Sequence, residues 1–281
     1  KLSVRPPMTN AAASSFQLCN GSLKYSADAP MPNIGTSNAI GAMVAAAAVI
    51  PSMGTGLPFR SAADAIALVG LLAIARVFMS LAAMDIGTAF GTLGARRDMM
   101  IGFLAEPALL MVIFVASLIS ATTALPLIAE RLVVQPLALY PSLAFTAVAF
   151  TMVLLAENAR IPVDNPATHL ELTMIHEAML LEYSARHLAL MEWAAALKLF
   201  NYACIGFALF VPWGTSIGET GIGALALSIP ALLAKLVVAG LWLALLETVS
   251  AKLRVFRAPE FLATAFMFAV LGLLVHLLLG A

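Results

Sequence analysis

Residues 63–84 read ADAIALVGLLAIARVFMSLAAM, and this run decides the class of fold. It contains only two charged side chains, Asp64 and Arg76. A helix needs about 20 mostly apolar residues to cross the hydrocarbon core of a bilayer, so the run predicts a transmembrane helix. Long apolar runs without polar alternation favour helices over barrel strands, because only a helix satisfies its own backbone within one segment.

Similar runs recur outward from this one in both directions. The chain is 62% hydrophobic and 11% charged, whereas soluble domains carry about 25% charged residues. Turn signals such as PSMGTGLP, GTLGARRD and PWGTSIGETG separate the runs. The sequence therefore predicts an all-α, polytopic transmembrane helix bundle, with seven visible spans at 36–53, 63–84, 101–121, 138–156, 186–213, 222–247 and 260–280.

The chain divides into a polar segment, residues 1–35, and a transmembrane domain, residues 36–281. It begins at Lys1 rather than Met, so we expect it to be incomplete at this end. Cys19 and Cys204 form no CxxC or Cys/His cluster, and no phosphate-binding glycine loop is present. We expect no metal or other cofactor on this chain, and the zero net charge gives no reason to expect nucleic acid.

Basic residues predict the orientation. Two lie in loops on one face, Arg60 and Arg131, whereas ten lie on the other face. Cytoplasmic loops carry the excess of Lys and Arg, so the second face is predicted to be cytoplasmic. Those ten residues are Lys1, Arg5, Lys24, Arg96, Arg97, Arg160, Arg186, Lys252, Arg254 and Arg257.

The predicted cytoplasmic loop 157–185, between the fourth and fifth visible spans, gathers ionisable residues. Its two prolines favour an extended segment over 160–167, and Thr168 with Glu171 forms a capping-box pattern that opens a charged helix. Glu171 and Glu182 are eleven positions apart, within about 20° of one helix face. Two interpretations stay open: a surface helix with solvated acids, or a buried helix whose raised carboxyl pKa values suit proton transfer.

Ionisable residues also interrupt the predicted spans. Such groups usually pair with one another or line a polar path, because a charge at mid-bilayer costs about 2.5–3.5 kcal/mol or more. The alternative is a purely structural role, as buried ion pairs between helices. These residues are Arg76, Glu106, Glu192, Lys198, Lys235 and His276, with Glu247 near a cytoplasmic end.

Three stretches carry a family resemblance: LLAENARIPVDNPATHLELTMIHEAMLLEYS at 154–184, MDIGTAFGTLGARRDMMIGFLAEPALL at 84–110 and ETVSAKLRVFRAPEFLA at 247–263. They resemble the membrane subunit of group 4 nickel–iron (NiFe) hydrogenases, of the formate hydrogenlyase subunit 4 and hydrogenase-4 component C type. That family is homologous to subunit 1 of respiratory complex I, which forms the quinone chamber of this NADH-quinone oxidoreductase. It has eight spans, and residues 1–35 do not match the first of them. The motif positions are occupied here by Glu157, Arg160, Pro162, Asp164, Glu182, Tyr183 and Ser184.

The resemblance implies a multi-pass, non-redox subunit of an oxidoreductase complex in the bacterial cytoplasmic membrane. Nickel–iron and iron–sulfur centres would lie in partners, a hydrogenase large subunit and an iron–sulfur small subunit docked on the cytoplasmic face. Antiporter-like membrane subunits would receive protons or sodium ions. The docking residues would be Arg96, Arg97, Arg160, Asp164, His176 and Arg186. The coupling path would use Glu106, Glu157, Glu171, Glu177, Glu182, Glu192, Lys198, Lys235 and Glu247.

Three other functions stay open on the sequence. A complex I-like subunit would reduce quinone in a cavity open to the lipid. A stand-alone ion carrier would work without partners, although the chain shows no inverted repeat. A structural anchor would have no role in proton transfer, and its buried carboxylates would be dispensable.

Overall fold

The computed structural model of the chain describes residues 16–19, 22–25, 32–56, 63–134, 140–160, 175–180, 183, 185–216, 222–249 and 258–279. A short antiparallel hairpin comes first, with β1 (Phe16–Cys19) paired to β2 (Ser22–Tyr25). The helices that follow are α1 (Pro32–Val49), α2 (Ala65–Asp85), α3 (Ala89–Ser120), α4 (Leu125–Val134), α5 (Pro141–Glu157), α6 (His176–Leu180), α7 (Ala185–Phe210), α8 (Ile222–Val249) and α9 (Ala258–Leu279).

Each of the seven predicted spans coincides with an apolar helix. Helices α2, α3, α7, α8 and α9 are long and apolar enough to cross a membrane. Helices α1 and α5 are apolar but shorter. The predicted all-α, multi-pass bundle is thus confirmed, and the hairpin lies in the polar segment before it.

The predicted turn at GTLGARRD is wrong, because these residues belong to α3. The chain turns earlier, at Gly87 (φ 73°), and the Thr88 side chain caps the helix by accepting from the Gly91 amide at 3.3 Å. The glycines serve close packing instead: a Cβ on Gly91 would lie 2.8 Å from the Ala83 carbonyl oxygen, and one on Gly94 would lie 2.7 Å from that of Ile175.

Helix α4 was not predicted, and at 10 residues it is too short to span a bilayer. Its Arg131 donates to the carbonyl of Ser120, which lies at the end of α3 and lacks a partner within that helix. Isolated β-bridges join the connections on this side, Gly54 to Ser216 and Asp64 to Ala124. Backbone hydrogen bonds therefore tie together the loops at this end of the bundle.

Helix α3 is the centre of the bundle and packs against α2, α5 and α9, while α1 packs against α2 and α7. The α5–α9 contact is close because Gly272 has no side chain: a Cβ there would lie 2.8 Å from Cγ2 of Thr146 and 3.1 Å from the carbonyl oxygen of Ser142. Helix α8 lies at the edge of the bundle and packs mainly against α7. Only 6% of its most apolar 18-residue stretch is buried.

Candidate functional site

Four charged side chains meet inside the bundle, and we call them the charge cluster: Arg76, Glu106, Glu157 and Lys198. Nη1 of Arg76 donates to Oε1 of Glu106 at 2.8 Å, and Nη2 donates to Oε1 of Glu157. Nζ of Lys198 lies 3.0 Å from Oε2 of Glu157. The Arg76 and Glu157 side chains are 5% and 1% exposed. Two cations and two carboxylates balance, as charges within a bilayer usually require.

The charge cluster lies deep in the bundle. Arg76, Glu106 and Lys198 each lie near the midpoint of a membrane-spanning helix, in α2, α3 and α7 respectively. Glu157, in contrast, is the last residue of α5. Helix α5 therefore ends at the depth where three other helices are half-way along. The sequence placed Glu157 at the start of a cytoplasmic loop, and its burial corrects that position.

The end of α5 is adapted to this depth. Ala159 has φ 49°, and the amides of Ala159 and Arg160 donate to the carbonyls of Ala156 and Leu155. This left-handed ending satisfies carbonyls that a helix end leaves without partners. A helix C-terminus also carries a partial negative charge, which favours the adjacent cations Arg76 and Lys198.

Gly102 on α3 makes room for the Arg76 guanidinium. A Cβ at Gly102 would overlap Nη1 of Arg76 and lie 2.7 Å from its Cζ and 2.9 Å from its Cδ. Pro107, directly after Glu106, has no amide proton, so α3 loses one internal hydrogen bond at this turn. Two sequence features of α3 thus fix how Arg76 and Glu106 meet.

Two buried polar residues of α7 extend the site. Tyr202 is 1% exposed and interacts electrostatically with both Arg76 and Glu157. Asn201 is fully buried, and its side-chain amide donates to the Met43 carbonyl at 2.9 Å, which ties α7 to α1. No pattern in the sequence singled out either residue, because isolated Asn and Tyr are common in apolar helices.

Helix α6 brings His176 to the same region. Burial lowers the pKa of His176 below its ordinary value; the charge of Asp98 opposes that shift, while Lys198 and Arg160 add to it. Asp98 itself accepts a hydrogen bond from Ser80 at 3.1 Å. Asp98 was missed in the sequence because it was placed in a loop, whereas α3 points it towards α2.

A cavity of about 870 Å³ adjoins the charge cluster. Its polar wall comprises Arg76, Asp98, Glu157, Arg160 and His176, and its apolar wall is formed mainly by α7 and α8. Glu192, Lys198 and Glu247 also line it. Arg160 and Glu247 approach to 3.6 Å at one end, linking the end of α5 to α8.

The structure thus brings together seven of the predicted site residues: Glu106, Glu157 and Lys198 in the charge cluster, and Arg160, His176, Glu192 and Glu247 around the cavity. Arg76 was noted in the sequence as an intramembrane charge but was not assigned to the path. It is the residue that joins Glu106 to Glu157.

Other predicted site residues lie elsewhere. Lys235 donates to the Val211 carbonyl at 2.8 Å, beyond the end of α7, with its ammonium 5.9 Å from the Phe207 ring centroid. Arg96 and Arg97 lie on α3 rather than in a loop, and Arg186 is in the first turn of α7. Asp164, Glu171 and Glu182, and the side chain of Glu177, lie outside the described residues. Among those that are described, no three His, Cys, Asp or Glu side chains group as a metal site would require.

Comparisons with known proteins give consistent matches. The family model described as NADH dehydrogenase matches residues 22–278. Formate hydrogenlyase subunit 4 of Escherichia coli K12 is 32% identical over 233 residues, 83% of this chain and 75% of the relative. Hydrogenase-4 component C of the same organism is 32% identical over 175 residues, 62% and 54% of the two chains.

The fold also matches a solved structure. A chain in the structure of the membrane-bound sulfane sulfur reductase, an archaeal respiratory membrane complex, superposes with a TM-score of 0.73. The match covers 90% of this chain and 81% of the other, at 20% sequence identity. At that identity the likeness concerns the fold alone.

Proposed function

Because the chain belongs to the NADH dehydrogenase family, we propose that it is the non-redox membrane subunit of an energy-converting hydrogenase complex of formate hydrogenlyase type. Its similarity to two hydrogenase-related proteins supports the type of complex. The observation that carries the coupling role is the charge cluster, in which Glu157 is held between Arg76 and Lys198 at mid-depth. The four charges balance, but the partners are shared: Glu157 contacts both Arg76 and Lys198, and Arg76 contacts both carboxylates, so a change at one member affects the others.

The charge cluster is suited to transmit a change of charge. A proton that arrives on Glu157 weakens its hold on Lys198 and Arg76 together. Arg76 then shifts towards Glu106, which is its second partner at 2.8 Å and is the more exposed of the two acids. Lys198 meanwhile loses the carboxylate that held it, although its side chain is only 12% exposed. An unpaired buried cation is costly in a protein interior, so this state favours movement of the charge onward.

The polar wall of the cavity provides the way in. Arg160 and His176, which flank the loop segment 161–174 in the sequence, line this wall together with Asp98. In this proposal the hydrogenase large subunit and the iron–sulfur small subunit dock on that loop, through Arg160, Asp164, His176 and Arg186. They carry the nickel–iron and iron–sulfur centres, and antiporter-like subunits receive the transmitted charge. The complex lies in the bacterial cytoplasmic membrane, with the loop on the cytoplasmic side.

The cavity also favours a second candidate function, that of a quinone-chamber subunit. A volume of about 870 Å³ with apolar and charged walls falls in the range of small-molecule sites. This function predicts quinone reductase activity that inhibitors of the chamber abolish. The hydrogenase function predicts hydrogen evolution that those inhibitors leave unchanged.

Glu157→Gln tests the coupling role in the assembled complex. It keeps the size of the side chain and one acceptor oxygen but removes its ionisation. Hydrogen evolution and proton movement are measured together in inverted membrane vesicles. We expect assembly to persist, because Arg76 keeps Glu106, and proton movement per hydrogen evolved to fall sharply.

Glu260→Gln is the matched control, because Glu260 is an exposed acid in the first turn of α9, away from the cavity. We expect this variant to couple normally. Full coupling in an assembled Glu157→Gln complex would show that the charge cluster only holds helices together. Purification of the native complex without nickel or an iron–sulfur subunit would reject the hydrogenase assignment itself.

A further inference from the structure

The apolar wall of the cavity is at least as deep as one bilayer leaflet. Along α7 its apolar lining runs from Ala195 to Val211, the residue directly after the helix, about 24 Å at the helical rise. On α8 the lining residues run from Leu236 to Glu247, about 16 Å of helix at 1.5 Å per residue. The hydrocarbon core of a bilayer is about 30 Å thick. The cavity therefore extends along α8 through about half of the hydrocarbon core, the length that one acyl chain occupies.

The side chains of this wall suit an acyl chain. Phe150, Phe207, Phe210, Leu236 and Leu243 line it. Small residues alternate with them: Ala203 and Gly206 on α7, and Ala239 and Gly240 on α8. A Cβ on Gly240 would meet nothing within 4 Å, so space lies directly beside the α8 backbone.

The end of the cavity at Glu247 carries charges of both signs. Arg160 and Glu247 are 3.6 Å apart, longer than the about 2.7–2.9 Å of a strong charge-assisted hydrogen bond. Their side chains are 44% and 29% exposed, so each retains capacity for another partner. Trp242, one to two turns away on α8, is 56% exposed. Tryptophan is enriched at the level of lipid headgroups, so this end of the cavity lies towards them, and the long side chain of Arg160 extends in that direction from the end of α5.

Helix α8 leaves access from the bilayer. Only 6% of the most apolar 18-residue stretch of α8 is buried. Val237, Val238 and Leu241 are each more than 60% exposed. Since α8 contacts mainly α7, little packing hinders a molecule that enters between them from the side. A lipid site needs lateral access in addition to an apolar wall of sufficient depth and a charged end for the headgroup.

We propose that the apolar wall holds an acyl chain of a phospholipid with a primary ammonium headgroup. The phosphate accepts hydrogen bonds from Arg160, and the ammonium donates to the Glu247 carboxylate. The two headgroup charges separate this weak ion pair and replace it with two stronger contacts. This site goes beyond the proposed function, since a bound lipid fills the apolar wall whichever redox partner the complex contains.

The test uses native membrane vesicles that contain the full complex. A phosphatidylethanolamine with a diazirine on its acyl chain is added and irradiated, and the labelled peptides of this chain are identified by mass spectrometry. Ala239→Phe fills the cavity from its lining. Val238→Phe is the matched control, because Val238 is 66% exposed and is not among the lining residues. Glu247→Gln removes the proposed partner of the ammonium group.

We expect labelling of α7 and α8 peptides at the apolar wall, a drop of about tenfold in Ala239→Phe, and no change in Val238→Phe. A tenfold drop corresponds to about 1.4 kcal/mol of lost binding. In Glu247→Gln we expect the preference for phosphatidylethanolamine over a phosphatidylglycerol probe to disappear while some labelling persists. Equal labelling in both phenylalanine variants would overturn the site. Equal labelling of wild type by phosphatidylglycerol would overturn the headgroup assignment. Displacement of the lipid probe by a quinone would assign the cavity to quinone instead.

Discussion

Substitution Gly102→Ala tests whether the absence of one side chain holds the charge cluster in place. The new Cβ would occupy the position of the Arg76 guanidinium, so Arg76 must withdraw from Glu106 and Glu157. Hydrogen bonds to charged groups contribute about 1.5–3 kcal/mol each, and alanine is favoured over glycine in a helix by about 1 kcal/mol. Loss of both hydrogen bonds therefore leaves a net destabilisation of about 2–5 kcal/mol.

Gly70→Ala is the matched control. Gly70 lies on α2, the helix that carries Arg76, and a Cβ there would have no neighbour within 4 Å. We expect this variant to be as stable as the wild type or up to about 1 kcal/mol more stable. The free energy of unfolding is measured by titrating the protein from a mild detergent into a denaturing one.

A double-mutant cycle identifies the cause. In an Arg76→Met background the charge-assisted hydrogen bonds are already absent, so Gly102→Ala should lose most of its additional effect. Equal stability of Gly102→Ala and Gly70→Ala would contradict this explanation. So would an equal destabilisation by Gly102→Ala in the Arg76→Met protein and in the wild type, since the new Cβ would then overlap a group other than Arg76.

The loop between α5 and α7 carries three further predictions. Burial holds the pKa of His176 below its ordinary value of 6.5. The His176 imidazole is therefore protonated more readily when α6 is detached from the bundle than when it is docked. Docking of α6 is therefore most stable above about pH 6.5 and becomes less stable as the pH falls. Hydrogen exchange of residues 175–180, corrected for intrinsic rates, should become faster at the lower pH. His176→Gln should abolish this pH dependence. In Val163→Cys, the cysteine should be labelled only from the cytoplasmic side of the membrane. Labelling from the periplasmic side of intact cells would contradict the predicted orientation. Glu182→Gln should assemble yet strongly reduce proton-coupled turnover; wild-type coupling in the assembled variant would indicate a simple helix salt bridge with Arg186.

The spans could be predicted because bilayer thickness imposes a length on every helix. The N-terminal end of α3 could not be predicted, because Gly91 and Gly94 have two possible roles that look alike in a sequence. Glycine permits turns, and it also permits close approach of two helices. Here the second role applies, since Ala83 and Ile175 occupy the space that side chains would fill. Both neighbours are set by tertiary packing, which a local pattern does not contain.

The charge cluster was predicted only in part. Arg76, Glu106 and Lys198 were recognised because charges are costly in apolar runs, whereas Glu157 was placed in the loop and assigned to the path through the family resemblance. The contacts among these four residues depend on the depth at which α5 ends, and the apolar pattern of α5 does not reveal that depth. Lys235 satisfies the same sequence criterion, yet it caps the end of α7 instead. An intramembrane charge thus indicates that a partner exists but not which partner it is.

The short length of α5 has a consequence for biosynthesis. At 17 residues, α5 is at the lower limit of the about 17–25 that a spanning helix needs. It depends on neighbours, and one of its main partners, α9, begins about a hundred residues later in the chain. At roughly 5–20 residues per second, the ribosome delivers α9 roughly 5–20 s after α5. The charge cluster therefore reaches its final form only when the last helix arrives, so chains that end before α9 should be degraded as misassembled membrane protein.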